Sequence, residues 1–162
     1  MKQKSSSASD NLVALHNWMK DACAKGAVPV IAGMNGDMDT IGSAISLAAS
    51  NQNMMACGLH LGRISKRVCQ KLGAPFRKIS NASDLPNKLG GIIIVDAASE
   101  SQIGFQLPNG VPKCIIDHHE SVNWEVNKSD LVIRMNVSAT TEIIAKYLNE
   151  YSTSTLTESV RK

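Results

Sequence analysis

Two runs of apolar residues, each ending in polar side chains, most constrain the fold of this chain. Residues 91–95 and 113–116 are almost entirely apolar, and they run directly into Asp96 and into the triplet Asp-His-His at 117–119. A strand with one solvated face alternates apolar and polar residues, whereas a continuous apolar run suits a strand buried on both faces. We therefore predict an α/β fold with a doubly wound, mostly parallel sheet and helices on both faces.

The remaining segments alternate between strand and helix patterns, as such a fold requires. Further strands are predicted at residues 28–32, 54–61, 76–79 and 131–135. Helices are predicted from Asp10, taken as the N-cap, to Gly26, and over residues 41–52, 64–72 and 140–151, the last with Ser138 or Thr140 near its cap.

The length of the chain indicates one domain. With 162 residues, 43% of them hydrophobic, it can bury a sizeable core but is short for two ordinary domains. Residues 1–8 are rich in Ser and Lys without periodicity, so we predict a disordered tail there and a folded domain over residues 9–162.

Composition and cysteine spacing bear on location and partners. The net charge of +3 by itself argues neither for nor against a nucleic-acid partner. The four cysteines never approach a C-x-x-C spacing and no secretory segment precedes the first helix, which indicates reduced thiols and a cytoplasmic protein. No apolar run reaches the roughly 20 residues that span a bilayer, so we expect no membrane anchor.

Acidic and imidazole side chains follow three of the predicted strands. Asp37 and Asp39 come between the strand at residues 28–32 and the next helix, Asp96 ends a second strand, and the triplet 117–119 ends a third. The carboxyl ends of parallel strands meet at one edge of a sheet, so four Asp and two His converge there. Carboxylates crowded together repel one another unless cations lie between them. We therefore predict a metal site.

The ligand types narrow the choice of metal. Oxygen and imidazole ligands without thiolate suit Mn²⁺, Mg²⁺, Fe²⁺ or Zn²⁺ rather than a structural zinc finger, and Mn²⁺ is our first choice. With two ions about 3.5–4 Å apart, a shared carboxylate bridges them and an activated water attacks phosphorus in line. Asp96 is the candidate for that bridge.

A glycine-rich dinucleotide loop is the competing interpretation of the first segment. Gly33, Gly36 and Gly42 lie between a strand and a helix, but their spacing is not G-x-G-x-x-G. Two acids in the loop would also repel the pyrophosphate that such a loop binds through backbone N–H groups. Metal-mediated phosphate binding is the better interpretation.

The three segments together carry a family resemblance. Asp-Met-Asp at 37–39 before Ile-Gly-Ser-Ala, Val-Asp at 95–96 and Asp-His-His at 117–119, in that order, resemble the motifs of the DHH phosphoesterases. This family includes RecJ-type exonucleases, nanoRNases, cyclic-dinucleotide phosphodiesterases and family II inorganic pyrophosphatases. The resemblance covers about residues 28–151, including Val-Ser-Ala-Thr-Thr-Glu-Ile from residue 137, and implies a single DHH-type domain in this chain.

The resemblance also implies a role for each residue of the site. Asp37 would hold one Mn²⁺, Asp39 and His118 the other, and Asp96 both. The implied catalytic residues are His119, facing the substrate phosphate, and Asp117, orienting the histidines. Two further candidates for contact with a substrate phosphate are Ser43 and Arg63.

Two departures from the family pattern leave alternatives open. The family commonly has a His four residues before the first motif Asp, where this chain has Gly33. Neither a fourth-motif Asp nor a second, DHHA1-type domain is found before Lys162. The chain is then expected to be either a piece of a longer protein or a reduced member that acts weakly, acts with a partner such as another copy of itself, or does not hydrolyse anything.

Three functions follow as hypotheses. The first is a cytoplasmic, Mn²⁺-dependent phosphoesterase that cleaves phosphodiester or phosphomonoester bonds of small nucleotides or short oligonucleotides. The alternative is a degenerate DHH domain that binds a nucleotide or a partner chain without hydrolysis. The third and least favoured hypothesis is hydrolysis of pyrophosphate.

Several other residues have both a functional and a simpler structural interpretation. The six basic residues between 63 and 78 would steer phosphates or a short oligonucleotide, although such a run is more often a solvated helix face and the 4% aromatic content leaves few stacking platforms. His60 is expected to be a surface residue rather than a replacement for the missing histidine. Met38 is expected to face the core.

Overall fold

A computed structural model describes residues 7–121 and 123–155 of the chain. These residues form a six-stranded sheet with four α-helices and three short 3₁₀ helices. The strands are β1 (Val28–Ala32), β2 (Met54–Gly58), β3 (Arg77–Lys78), β4 (Ile92–Val95), β5 (Lys113–Asp117) and β6 (Leu131–Arg134). The α-helices are α1 (Ala8–Lys25), α2 (Met38–Ala48), α3 (Arg63–Leu72) and α4 (Thr140–Tyr151), and the 3₁₀ helices are Ala82–Asp84, Glu100–Gln102 and Thr153–Thr155.

The sheet confirms the predicted α/β fold. All neighbouring strands are parallel, and their order is β3-β2-β1-β4-β5-β6. The chain moves outward in one direction from β1 to β3 and in the other from β4 to β6, which is a doubly wound arrangement. The crevice between β1 and β4, where the order reverses, is where such folds bind ligands.

Both faces of the sheet are covered, but by different kinds of segment. Ile93 and Val95 of β4 belong to one apolar cluster, which contains the buried apolar residues of all four α-helices. Ile92 and Ile94, on the other face, belong to a second cluster. That second face is covered by connecting loops and the ends of 3₁₀ helices, through Leu85, Ile103 and Leu107. We predicted helices on both faces, but among the described residues the second face has only short 3₁₀ helices and loops.

The first helix begins earlier than predicted. Ser7 is the N-cap of α1, with its Oγ accepting from the N–H of Asp10 at 3.1 Å while the Asp10 carboxylate accepts from the N–H of Ser7. Asp10 is therefore the third helical residue of a capping box, and its prediction as N-cap was wrong. The predicted tail overlaps this helix start at Ser7 and Ala8, and residues 1–6 lie outside the described residues.

The second helix, α2, also begins earlier than predicted, because of its cap. The helix begins at Met38, three residues before the prediction, because the Asp37 carboxylate accepts from the N–H of Thr40 at 3.0 Å. It ends at Ala48, before the predicted residue 52. The bounds of α4 were predicted correctly, but its N-cap is Ala139, which offers no side-chain acceptor, rather than Ser138 or Thr140.

The four cysteines lie inside the fold. Cys23, Cys57, Cys69 and Cys114 are all buried free thiols, and burial raises the pKa of Cys57 to about 12. None of the helices within the described ranges has the length and apolar character needed to cross a bilayer.

Candidate metal centre

The carboxyl ends of β1, β4 and β5 bring the predicted site residues together. Asp37 and Asp39 open α2, which follows β1, and Asp96 comes directly after β4. Asp117 is the last residue of β5 and is followed by His118 and His119. Because β4 lies between β1 and β5 in the sheet, the three segments reach the same edge at its centre.

Asp96, His118 and His119 form the tightest group at this edge. One ligand atom from each lies within 4.8 Å of the others, as a bound metal ion would require. His118 Nε2 is 3.4 Å from Asp96 Oδ1 and 3.7 Å from Asp39 Oδ2, and the two imidazole rings have centroids 4.4 Å apart. Asp39 therefore borders the same space, and both histidines rather than His118 alone reach it.

Asp96 lies at the centre of the group in an unusual backbone conformation. Its φ of 56° lies in the left-handed region, which residues other than Gly rarely adopt. This conformation typically costs about 1–3 kcal/mol. The residue is 6% exposed, and Thr140 Oγ1 donates to its Oδ1 at 3.2 Å. Burial, and then the charge of Asp39, raise the pKa of Asp96 to about 6. A cation beside this carboxylate would offset both effects.

Asp117 orients His119. Its side chain is fully buried, and Oδ1 accepts from His119 Nδ1 at 2.7 Å. This hydrogen bond is the main cause that raises the pKa of His119. It leaves Nε2 of His119 as the only ring nitrogen available to a ligand, which is how second-sphere carboxylates orient metal-binding histidines. Asp117 Oδ2 is buried and has no hydrogen-bond partner within the described residues.

Asp39 makes a contact that the sequence did not predict. Its Oδ2 accepts from the N–H of Thr140 at 2.9 Å, and its Oδ1 accepts from the N–H and the Oγ1 of Thr141, both at 2.8 Å. The N-cap of α4 is Ala139, so a carboxylate from α2 satisfies the first amides of α4 instead. The hint in the sequence for this contact was that the cap position of α4 holds no polar side chain.

Asp37 lies at the rim of the site. It is exposed, and its carboxylate accepts from Asn35 Nδ2 at 2.9 Å as well as capping α2. Its charge contributes to the raised pKa of Asp96, after burial and Asp39. Asp37 is thus close enough to act on the central carboxylate through its charge.

At Gly33, where the DHH pattern commonly has a histidine, neighbouring backbone occupies the space for a side chain. Gly33 is buried, and its N–H donates to Thr40 Oγ1 at 2.9 Å and to the Val95 carbonyl at 3.3 Å. A Cβ atom added at Gly33 would lie 2.8 Å from the backbone oxygen of Asp96. No side chain fits at this position without a shift of that backbone.

Two further predicted contacts have different outcomes. Ser43 is completely buried in α2 and its Oγ has no hydrogen-bond partner among the described residues. This burial contradicts the prediction that Ser43 contacts a substrate phosphate. Arg63 is exposed as the first residue of α3, and the backbone before it is tied to the site because Gly62 N–H donates to the Gly36 carbonyl at 2.9 Å. Its contact with a phosphate stays a prediction.

Met38 and His60 also lie near the site. Met38 was expected to face the core, but it is 37% exposed and lines an apolar groove of about 760 Å³ between α2, α3 and α4. The groove has Asp39 and Thr141 in its wall, so it adjoins the candidate centre. His60 is exposed, as expected, and packs beside Gly36.

One protein family matches most of this chain. The family model for the DHH family, N-terminal domain, matches residues 27–161. No curated protein matches the chain.

Two solved structures resemble the fold. One, from Methanococcus jannaschii and described as a family II inorganic pyrophosphatase, has a TM-score of 0.62 and 27% identity over 76% of this chain and 39% of its own. The other, an exopolyphosphatase-related protein from Bacteroides fragilis, has a TM-score of 0.59 over 98% of this chain and 48% of its own, and at 12% identity it supports the fold alone. This chain thus spans less than half the length of either structure. With its motifs in order, its matching fold and a family model that covers most of its length, the chain belongs to the DHH family.

Proposed function

We propose that this domain is the catalytic part of a divalent-metal-dependent phosphoesterase, with Mn²⁺ as its metal and two ions in the site. The observation that carries the proposal is the convergence of Asp96, His118 and His119, whose ligand atoms lie within 4.8 Å of one another. Carboxylate and imidazole are suitable ligands for such ions. The group also lies at the crevice of the sheet where α/β proteins bind phosphate compounds.

The carboxylate and imidazole side chains of the candidate centre suit divalent cations. The proposed ligands are Asp37, Asp39, Asp96 and His118, with Asp96 shared between the two ions. Asp96 is buried beside two other carboxylates, and a cation would offset the cost of keeping it ionised. When bound, the ions would supply Lewis-acid activation of a water molecule and screening of phosphate charge.

The protein's own groups would orient the reactants. Asp117 holds His119 through Nδ1, so that Nε2 can bind an oxygen of the substrate phosphate. Thr140 holds the central Asp96. The proposed role of these contacts is to keep the ligands and the phosphate in one geometry, which is the main contribution of a protein to phosphoryl transfer.

We propose phosphodiester or phosphomonoester bonds of small nucleotides or short oligonucleotides as substrates, with pyrophosphate as the alternative. The M. jannaschii neighbour, 27% identical, supports the pyrophosphate alternative through its description. Four free, buried thiols support a reducing, cytoplasmic compartment. We also propose that the DHH-type domain, predicted over residues 9–162, begins with the Ser7 cap of α1 and works with a second domain or another copy of the chain.

A second candidate function is binding of a nucleotide or partner chain without hydrolysis. Two observations favour it. Gly33 leaves no space for the histidine that the family pattern places there, and both oxygens of Asp39 already accept hydrogen bonds from the start of α4. Weak or absent metal binding would follow from these features.

The experiment that separates the two candidates combines calorimetric titration with Mn²⁺, a phosphate-release assay for pyrophosphate and the nucleoside monophosphate, and chromatographic detection of the nucleotide products for the dinucleotide. The proteins are wild type, Asp96→Ala and, as a matched control, Asp21→Ala, which removes an exposed acid on α1. The substrates are pyrophosphate, a nucleoside monophosphate and a dinucleotide.

We expect Mn²⁺ binding and phosphoester hydrolysis by wild type and the control, and neither by Asp96→Ala. Mn²⁺ binding that depends on Asp96 without turnover of any substrate would favour the second candidate. Undiminished Mn²⁺ binding by Asp96→Ala would contradict the assignment of Asp96 as the shared ligand.

A further inference from the structure

Asp96 is the one residue other than glycine with a positive φ in the part of the chain that the structure describes. Its N–H donates to the Ile116 carbonyl at 3.0 Å and so continues the pairing of β4 with β5. A residue other than glycine stays in the left-handed region only where surrounding contacts hold it there. The contacts of residues 97–99, which we call the Asp96 turn, therefore bear on how this carboxylate is presented.

A segment beyond the histidine motif holds the Asp96 turn. Trp124 Nε1 donates to the Ala97 carbonyl at 2.9 Å, and the N–H of Asn123 donates to the Ala98 carbonyl at 2.7 Å. Ser99 and Asn123 also form an isolated parallel bridge. These contacts join the residues that follow β4 to the loop that follows β5. The Asp96 turn is thus tied to the loop that carries the two histidines.

The Asp96 turn also contacts the 3₁₀ helix Glu100–Gln102. Gln102 Oε1 accepts from the N–H of Ala98 at 2.7 Å, and the Gln102 carbonyl accepts from the N–H of Met34 at 2.7 Å. Of the bonds to the turn, the one from Trp124 is made by a side chain from a distant part of the sequence. It is therefore the bond that a single substitution can remove without altering the local backbone.

The two tryptophans of the chain make the same kind of bond at different places. Trp124 packs against the second apolar cluster, to which the completely buried Ala97 belongs. Because a buried carbonyl without a donor costs free energy, the indole N–H of Trp124 stabilises the Asp96 turn. Trp18 Nε1 donates to the Ser129 carbonyl at 3.3 Å, outside that turn. Trp18 therefore offers a matched comparison within the same chain.

We propose that Trp124 is a positioning residue for the metal centre, which holds Asp96 in its left-handed conformation through the Ala97 carbonyl. This conformation presents the Asp96 carboxylate beside His118, whose Nε2 lies 3.4 Å from Asp96 Oδ1. The inference rests on the proposed function for the role of Asp96 as a metal ligand. The indole acts through the backbone, and we assign it no contact with metal or substrate.

The test compares Trp124→Phe, which keeps an aromatic ring but removes the N–H donor, with Trp18→Phe as the control. NMR of each metal-free protein in EDTA measures amide exchange at Asn123 and the Cα and Cβ chemical shifts of Asp96, which depend on its backbone dihedrals. Urea unfolding measures the loss of stability, and calorimetric titration measures Mn²⁺ affinity. Should Trp124→Phe impair folding, the Trp18→Phe protein made with benzothienylalanine in place of tryptophan removes only the N–H at residue 124.

We expect Trp124→Phe to move the Asp96 shifts away from their wild-type values and to quicken exchange at Asn123. It should also weaken Mn²⁺ binding about tenfold, as the loss of a contact behind a metal ligand typically does. Trp18→Phe should change none of these three readouts. Wild-type Asp96 shifts in Trp124→Phe, or equal changes in both variants, would overturn the proposal even if stability falls.

The NMR readout separates this proposal from the proposed function, because it needs no metal. If wild type binds no Mn²⁺, the proposed function fails, while the Asp96 shifts still decide whether Trp124 holds this residue. If wild type binds Mn²⁺ and Trp124→Phe binds it equally well despite shifted Asp96 signals, the role of Trp124 toward the metal is overturned and the proposed function stands.

Discussion

A Cβ atom on Gly33 would lie 2.8 Å from the backbone oxygen of Asp96. Gly33 directly follows β1 and Asp96 directly follows β4, so the close approach joins the ends of the two strands at the crevice of the sheet. Asp96 adopts a left-handed φ of 56° at this point, and Gly33 leaves room for its carbonyl. The glycine is thus part of the geometry that presents the central carboxylate.

Any side chain at Gly33 is therefore expected to weaken the site. Gly33→Ala should destabilise the protein by about 1–3 kcal/mol, because overpacking against backbone forces a shift, and Gly33→His should lower Mn²⁺ affinity instead of restoring a ligand. Gly42→Ala is the control, since its Cβ would meet only a methyl group of Thr141 at 3.3 Å. Denaturant unfolding and Mn²⁺ titration provide the measurements. A gain in Mn²⁺ affinity by Gly33→His would show that the backbone adapts.

The raised pKa of Asp96 should appear in the stability of the metal-free protein. The pKa of the carboxyl is about 6 in the folded state and has its ordinary value of 3.8 when unfolded, so between these pH values the folded state binds more protons. Its contribution to the free energy of unfolding therefore falls as pH rises, by about 3 kcal/mol in total.

Urea unfolding in EDTA between pH 4 and pH 7 measures this effect. We compare wild type with Asp96→Asn, because groups that titrate alike in both proteins cancel in the difference between their unfolding free energies. The unfolding free energy of Asp96→Asn minus that of wild type should increase from pH 4 to pH 6 and then stay constant. A difference that does not change with pH would contradict a raised pKa for Asp96.

Asp39 should support α4 as well as the metal. Asp39→Ala removes the acceptor for the first amides of α4, so we expect a loss of about 1–2 kcal/mol, the usual cost of a lost helix cap. Amide hydrogen exchange should quicken at Thr140 and Thr141. Asp37→Ala is the matched comparison, because it should quicken exchange at Thr40 in α2 and leave α4 protected. Unchanged exchange at Thr141 in Asp39→Ala would contradict this capping role.

Asp117 should determine the pKa of His119. The hydrogen bond from His119 Nδ1 to Asp117 is the main reason why the pKa of this imidazole is raised, so Asp117→Asn should move it downward. NMR titration of the His119 ring in metal-free protein measures the shift. Asp21→Asn, on the surface of α1, is the control and should leave the His119 titration as in wild type. An unchanged His119 pKa in Asp117→Asn would argue against this orienting bond.

Much of the fold was predictable because it depends on local patterns. The continuous apolar runs that became β4 and β5 indicated strands buried on both faces, and that burial requires a parallel sheet. Once the strands are parallel, the residues after them must meet at one edge. The convergence of Asp39, Asp96, His118 and His119 follows from this, and the structure has it.

Other features depended on contacts between distant segments. The hydrogen bond from Thr140 to Asp39 joins residues 101 positions apart. The pattern of residues along the chain does not indicate which carboxylate lies beside a helix start. The burial of Ser43 and the exposure of Met38 depend on how α2 is rotated against α3, α4 and the sheet. The space at Gly33 depends on the backbone of another strand.

Apolar periodicity and strand direction were therefore enough to predict the α/β sheet, the order of its motifs and the edge at which their side chains meet. Tertiary structure alone decided which atoms are engaged there: Asp39 with α4, Asp117 with His119, and the carbonyl of Asp96 beside Gly33. The physical reason is that hydrogen bonds and close packing act over a few ångströms in space. Only the folded chain brings these distant residues within that range.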